Sequence, residues 1–194
     1  MNFNKEKKEF LRKKDKSRKG SIDNKIKRLV NKINSLEDFY TTSSCAGRIL
    51  LLTIPESNKK NEVKYLFCSH KKIKYSDLKK NILLKKLPKR IVWLRVEPAI
   101  LHVACKSLYS AIKILNLARN IGFRRSGIIS IRKNKLVLEL ISTEKIDAIV
   151  SKNRKLLIDE NYFKVLIKEG NKKLEKTWQK INKLYTELND ILPK

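Results

Sequence analysis

An α+β fold outside the Rossmann class is predicted by three features of this sequence. Apolar residues recur at helical spacing near both ends, short β-branched or apolar runs lie between them, and glycine is scarce. Only five glycines occur, at positions 20, 47, 122, 127 and 170, so no Gly-x-Gly-x-x-Gly phosphate loop can form. The strands are expected in a mixed sheet with a basic concave face. Helices are expected at both termini, the last of them long. One domain is expected overall, with residues 1–150 as an α+β body and residues 151–194 as a helix docked on it.

Residues 3–14 are charge-dense, with Phe3, Phe10 and Leu11 as large apolar side chains, and read as a short helix ending near Gly20. Ser21 or Asp23 can cap the next helix, residues 23–35. There Ile22, Ile26, Leu29, Val30 and Ile33 line one face, and Lys25, Lys27, Arg28 and Lys32 the other. A polar, turn-rich stretch at 40–48 leads into a strand at 49–54, which Pro55 stops. A lysine-bearing loop precedes a strand at 63–69, and residues 76–86 read as a helix broken by Pro88. Residues 91–96 and 100–105 read as strands, from their β-branched and aromatic content. Leu108, Ile112, Leu115 and Ala118 predict a helix over 107–121 that ends at Gly122. Residues 128–131 and 136–141 flank Arg132-Lys133-Asn134-Lys135 as a hairpin with a basic tip. A short helix is expected from Thr143. In the last helix, 159–189, Leu174, Trp178, Ile181, Tyr185, Leu188 and Leu192 alternate at spacings of four and three. That seam suits either a coiled coil or docking on the body.

Lys and Arg number 47 against 19 Asp and Glu, a formal charge of +28. A surplus of that size repels itself unless a polyanion offsets it, and nucleic acid is the usual one. With 41% apolar residues the chain can build a buried core, and no apolar run is long enough to cross a bilayer. The first residues carry no signal-peptide pattern, so a cytoplasmic protein is expected. The three cysteines, Cys45, Cys68 and Cys105, are widely spaced and fit free thiols in a reducing compartment. His70 and His102 lack the paired spacing of a zinc site, and no metal is expected. Sparse, scattered carboxylates argue against a metal-dependent nuclease.

Several segments resemble one family in order. They are Asp15-Lys16-Ser17, then Asp23, then Tyr40-Thr41-Thr42-Ser43-Ser44-Cys45-Ala46-Gly47-Arg48-Ile49. Further on come Glu97-Pro98 with Leu101-His102-Val103, and Ala118 with Gly122-Phe123-Arg124-Arg125-Ser126-Gly127. Over residues 8 to 145 this order resembles the wybutosine-synthesis tRNA methyltransferases of the archaeal type, the tRNA wybutosine-synthesizing protein 3 family. The resemblance implies transfer of a methyl group from S-adenosyl-L-methionine. The acceptor would be N4 of a tricyclic wyosine-type base, 7-aminocarboxypropyl-demethylwyosine, beside the anticodon of phenylalanine tRNA. It also implies a non-Rossmann α+β fold and an anticodon-loop partner; no membrane and a monomer are expected.

Methyl transfer requires an in-line approach, loss of a proton from the attacking nitrogen, and exclusion of water. No covalent intermediate is needed, so Cys45 is not expected as a nucleophile. Asp15, Ser44 and His102 are the candidates for proton handling. Imidazole titrates near neutrality, which suits a base, although a histidine inside an apolar strand also serves as a core residue. Ser17, Ser43, Gly47, Arg48 and Ser126 are the cofactor candidates: the serines offer hydroxyls, Gly47 close backbone approach, and Arg48 a bidentate fork. The stretch 41–48 would then be a binding loop, or else an ordinary capped turn. Lys16, Lys25, Arg28, Arg124, Arg125, Arg132 and Lys133 are candidates for RNA phosphates. Tyr40 and Trp93 can stack on a base, though Trp93 also suits the core. The rival readings are a non-catalytic basic RNA-binding protein and an interaction protein dimerising through its tail.

Overall fold

The computed structural model describes residues 2–12, 21–55, 62–83 and 87–191. In chain order its elements are α1 (Phe3–Arg12), α2 (Asn24–Ser35), β1 (Phe39–Cys45), β2 (Arg48–Thr53), β3 (Lys64–Ser69) and α3 (Tyr75–Leu83). There follow β4 (Val92–Glu97), β5 (Ile100–Cys105), α4 (Leu108–Ile121), β6 (Gly127–Arg132), β7 (Lys135–Ile141), β8 (Ile146–Lys152), β9 (Lys155–Leu156) and α5 (Glu160–Ile191). The α+β class and the terminal helices, the last of them long, are as predicted. In place of one mixed sheet there are two sheets, and every strand pair among the described residues is antiparallel.

The chain forms two compact units. The first comprises Met1–Ala46, Ala99–Thr143 and Thr177–Lys194; the second comprises Gly47–Pro98 and Glu144–Lys176.

In the first unit the strand order is β1-β5-β7-β6. Alternation along β5 and β7 sends Leu101, Val103, Cys105, Leu136, Leu138 and Leu140 to one face. That face shares a core with Ile26, Leu29, Val30 and Ile33 of α2, Ala111, Ile114 and Ala118 of α4, and Ile181, Leu184 and Leu188 of α5. The α2 stripe was legible as periodicity, whereas on α4 the predicted Leu108 and Ile112 are exposed, and Ala111, Ile114 and Ile121 join Leu115 and Ala118 in burial. Of the α5 seam, Ile181 and Leu188 sit in this core with Trp178 and Tyr185 packed against it, and Leu192 lies outside the described residues. Helix α4 is capped by Ser107, whose hydroxyl accepts from the Ser110 N–H at 3.1 Å. It ends where Gly122 takes φ 115°, letting the Phe123 N–H reach the Ala118 carbonyl at 2.9 Å and sending Phe123 into the core.

In the second unit the order is β3-β2-β4-β8-β9. Ile49, Leu51, Val92, Leu94 and Val96 are buried along β2 and β4. Gly170 of α5 passes so close that a Cβ there would lie 3.1 Å from Val96 and 3.6 Å from Ile49. The start of α3 is tied to α5 by the Tyr75–Phe163 edge contact at 5.8 Å, and by Asn171, which bonds both backbone groups of Ile73.

Two sequence expectations are corrected. The polar stretch at 40–48 is a strand up to Cys45, because Ile100–Cys105 offers it a complete antiparallel partner; only Ala46 and Gly47 turn. The helix expected from Thr143 is strand β8, where pairing with β4 overrides local propensity. Its hairpin to β9 turns through Asn153 and Arg154, both at positive φ as a tight hairpin turn requires.

Gly122→Ala places a side chain at a left-handed φ and 2.8 Å from the Lys180 side chain. We expect a loss of about 1–2 kcal/mol in a urea melt.

Candidate active site

The first unit's sheet has a second face, and pairing register decides what stands on it. A β-bulge between Thr41 and Ser43 inserts one residue into β1. Before it, Tyr40 pairs with Ala104; after it, Ser43 pairs with His102 and Ser44 with Leu101. One extra residue exchanges the faces of everything beyond it. Ser43 therefore stands beside His102, and Ser44 falls on the Leu101 side. His102 in turn pairs with Glu139, and Glu139 with Gly127.

The result is a polar row across three strands. Ser43 Oγ lies 2.8 Å from His102 Nδ1, and His102 Nε2 lies 3.1 Å from Glu139 Oε2. The His102 and Glu139 side chains are about two-thirds buried, at 30% and 32% exposure. An ionised carboxylate can only accept, so Glu139 draws the imidazole proton to Nε2. Nδ1 is then a lone pair facing the Ser43 hydroxyl, which donates to it. This is a positioned base with a carboxylate behind it. Glu139 was missed in the sequence, where it reads as the ordinary outward residue of an alternating strand.

Next to the row, α1 lies on the same face. Tyr40 is fully buried, its ring 5.4 Å from both Phe3 and Phe10, so it presents no face to a base, contrary to one sequence reading. Lys135 donates to the Tyr40 hydroxyl at 3.3 Å and pairs with Glu6 of α1. The Lys135 hydrogen bond and charge hold the Glu6 carboxyl below its usual range, whereas burial pushes the Tyr40 phenol up. Asp15, Lys16 and Ser17, which follow α1 in the chain, lie outside the described residues.

The end of β1 is pinned from α2 and α5. Asp23 occupies the N-cap position of α2 but makes no side-chain cap bond. Its buried carboxylate accepts instead from the Ala46 N–H at 3.1 Å, while Trp178 Nε1 donates to the Ala46 carbonyl at 3.1 Å. Asn34 accepts from the Thr41 N–H at 2.7 Å and from its hydroxyl at 3.1 Å, just before the bulge. Sequence reasoning offered Asp23 only as a cap and did not find Asn34. Asp23 precedes α2 and its partner lies 23 residues on, whereas Asn34 reaches only seven residues ahead, to a strand the sequence reads as a turn.

Ser126 is buried, and its hydroxyl is used locally: it donates to the Phe123 carbonyl at 2.6 Å and accepts from the Ile141 N–H at 3.0 Å. Its carbonyl accepts from Arg119 Nε and Nη2 at 3.2 and 2.7 Å. Arg124 and Arg125 beside it are exposed, as are Arg132 and Lys133 at the β6–β7 tip. Lys25 and Arg28 are exposed on α2, with their charges over the rings of Trp178 and Tyr185 at 4.7 and 4.6 Å. Cys105 is buried, and burial pushes its thiol up to about 12, so it stays protonated.

In the second unit, Gly47 takes φ 91° where the chain enters β2. Arg48 Nε donates to Glu97 Oε2 at 2.6 Å, and its guanidinium lies 5.6 Å from the Tyr65 ring centre. The fork expected to hold a ligand carboxylate thus already engages a protein one. Trp93 is half-buried on β4, beside Arg95 at 5.5 Å.

A non-Rossmann α+β chain carrying a serine–histidine–glutamate row and a large cationic surplus can now be compared with known proteins. The Methyltransferase TYW3 family model matches residues 5–190, and the chain belongs to that family. It is 35% identical over 191 residues to the tRNA(Phe) 7-((3-amino-3-carboxypropyl)-4-demethylwyosine(37)-N(4))-methyltransferase 1 of Pyrococcus horikoshii, covering 98% of this chain and 96% of that one. It is 36% identical over 193 residues to the tRNA wybutosine-synthesizing protein 3 homolog of Mus musculus, covering 98% and 74%. A solved structure of a Pyrococcus horikoshii protein superimposes with a TM-score of 0.86 at 34% identity, covering 97% of this chain and 96% of that one.

The Glu6–Lys135 pair implies a pH dependence with a definite sign. A carboxyl whose folded value is depressed stabilises the fold above its ordinary value of 4.5, and that contribution disappears as the pH falls further. Urea midpoints of the protein and of Glu6→Gln should differ at pH 7 and draw together as the pH is lowered below 4.5. A gap that persists in acid would remove the ion pair as its cause.

Proposed function

We propose that this chain methylates N4 of the 7-(3-amino-3-carboxypropyl)-4-demethylwyosine base at position 37 of tRNA(Phe), with S-adenosyl-L-methionine as donor. The reading rests on the activity for which relatives of similar length are named, and on the Ser43–His102–Glu139 row, which supplies the base that N-methylation needs.

The donor fits the chemistry of the groups present. In the first unit, Ser142 Oγ and Thr177 Oγ1 are buried without a hydrogen-bond partner among the described residues. Orphaned buried hydroxyls of this kind suit the polar groups of a bound amino acid or ribose, and these two would hold them. When bound, the sulfonium supplies an electrophilic methyl group. The chain's own task is the proton. As the base nitrogen gives up its hydrogen, Ser43 accepts it and passes its own hydroxyl proton to His102 Nδ1. Glu139, accepting from Nε2, stabilises the imidazolium that results. Asp15 remains a second candidate acceptor on family grounds. Arg124, Arg125, Arg132 and Lys133 are proposed to meet phosphates of the anticodon loop, with Lys16, Lys25 and Arg28 in support. Among the described residues no helix is long and apolar enough to cross a membrane, and the proposed compartment is the cytoplasm.

The direct test supplies labelled S-adenosyl-L-methionine and tRNA(Phe) carrying the unmethylated tricyclic base. Label should appear on that base, and His102→Gln should slow transfer by about a hundredfold or more while tRNA affinity is unchanged. Tight tRNA binding with no label would leave a non-catalytic RNA-binding protein. Full-rate transfer by His102→Gln would take the base role from His102.

A further inference from the structure

The second unit's sheet has one face on α5 and another that the mechanism does not use. Ile49 and Val96, which meet Gly170, point to the α5 side. Their neighbours in sequence point the other way. On that opposite face the register aligns Tyr65 of β3, Leu52 of β2, Trp93 of β4 and Ile149 of β8 as one row. The adjoining row is Cys68, Leu50, Arg95 and Asp147. Leu50 and Leu52 are buried in the middle, whereas Tyr65 and Ile149 are exposed at 41% and 40% and Trp93 is half-buried.

Each aromatic ring carries an arginine beside it. Arg48 lies over Tyr65 and Arg95 over Trp93, at 5.6 and 5.5 Å. Each arginine has a carboxylate one strand away: Arg48 donates to Glu97 at 2.6 Å, and Asp147 lies 2.9 Å from Arg95 Nε. Tyr65 and Trp93 stand two strands apart, about 10 Å at ordinary strand spacing. A single strand of RNA can span that separation with two bases.

We propose that this sheet face is a stacking platform for unpaired nucleotides of the tRNA, with one base on Tyr65 and another on Trp93. The proposal deepens the reading of the protein as a tRNA enzyme and rests on it. Unpaired RNA offers what this face takes: flat π-surfaces for the rings and anionic phosphates for a chain with a net charge of +28. A duplex presents no free base faces, so the platform selects the loop over the stem.

The test measures affinity of the full-length protein for a tRNA(Phe) anticodon stem-loop and for the same stem closed without unpaired bases. Tyr65→Ala and Trp93→Ala should each weaken stem-loop binding by about 5- to 100-fold and leave the closed stem unaffected. Tyr65→Phe and Trp93→Phe should restore it. The dependence on salt should stay that of the unaltered protein, because stacking releases no counterions. In parallel, a stem-loop with photoreactive uridines should crosslink to Tyr65 or Trp93 in the unaltered protein, which needs no variant to fold. Crosslinks confined to other residues, or alanine variants that melt normally and bind at full strength, would overturn the platform while methyl transfer stood. No binding of either RNA by the unaltered protein would overturn the tRNA reading itself.

Discussion

The pairing of β1 with β5, interrupted by one bulged residue, is the constraint on which the candidate site depends. An antiparallel ladder alternates faces strictly, so a single inserted residue decides which of two adjacent serines meets His102. Asn34 fixes the backbone just before the bulge, and Asp23 and Trp178 fix Ala46 just after it. The β1 strand is thus clamped at both ends from helices that also build the core. The arrangement costs Asp23 its capping role, and a buried carboxylate is retained because it holds a backbone N–H where the strand must stop. Behind His102, the continuation of the same ladder supplies Glu139.

Charge is organised on a similar principle. Several of the few acidic residues are partners of particular cations: Glu6 of Lys135, Glu37 of Lys106, Glu97 of Arg48, Asp147 of Arg95 and Glu175 of Lys72. Such partly exposed pairs contribute little to stability, so their main effect is to fix where a cation points. Even with every acidic residue paired, a formal surplus of +28 is left. A polyanionic substrate completes the electrostatics, which is why the composition by itself is informative about the partner.

What was legible in the sequence was what local periodicity encodes. Ile26, Leu29, Val30 and Ile33 announced α2, and Gly122 announced the end of α4. The run from Tyr40 to Cys45 looked like a loop because its hydroxyl side chains favour turns, and the strand that captures it lies about sixty residues later. Residues 146–152 became a strand for the same reason, through β4. At the site, a motif points to His102, but the sequence favours Ser44 for proton handling where register sets Ser43 beside the ring, and it gives no sign of Glu139. A bulge has no local signature strong enough to reveal parity, and cross-strand partners appear only once register is known. Ser126 stands out in the sequence for its hydroxyl, and the structure places that hydroxyl in a buried turn instead.

The register claim is open to one direct measurement, the single-turnover methyl-transfer rate of Ser43→Ala set against Ser44→Ala, each with tRNA saturating. The two substitutions are chemically identical and adjacent, so only the face each serine occupies separates them. Ser43→Ala should be slower by at least about tenfold, within what general-base assistance can contribute, and Ser44→Ala should stay close to the unaltered protein. Equal effects, or a larger loss at Ser44, would contradict the proton path through Ser43 to His102.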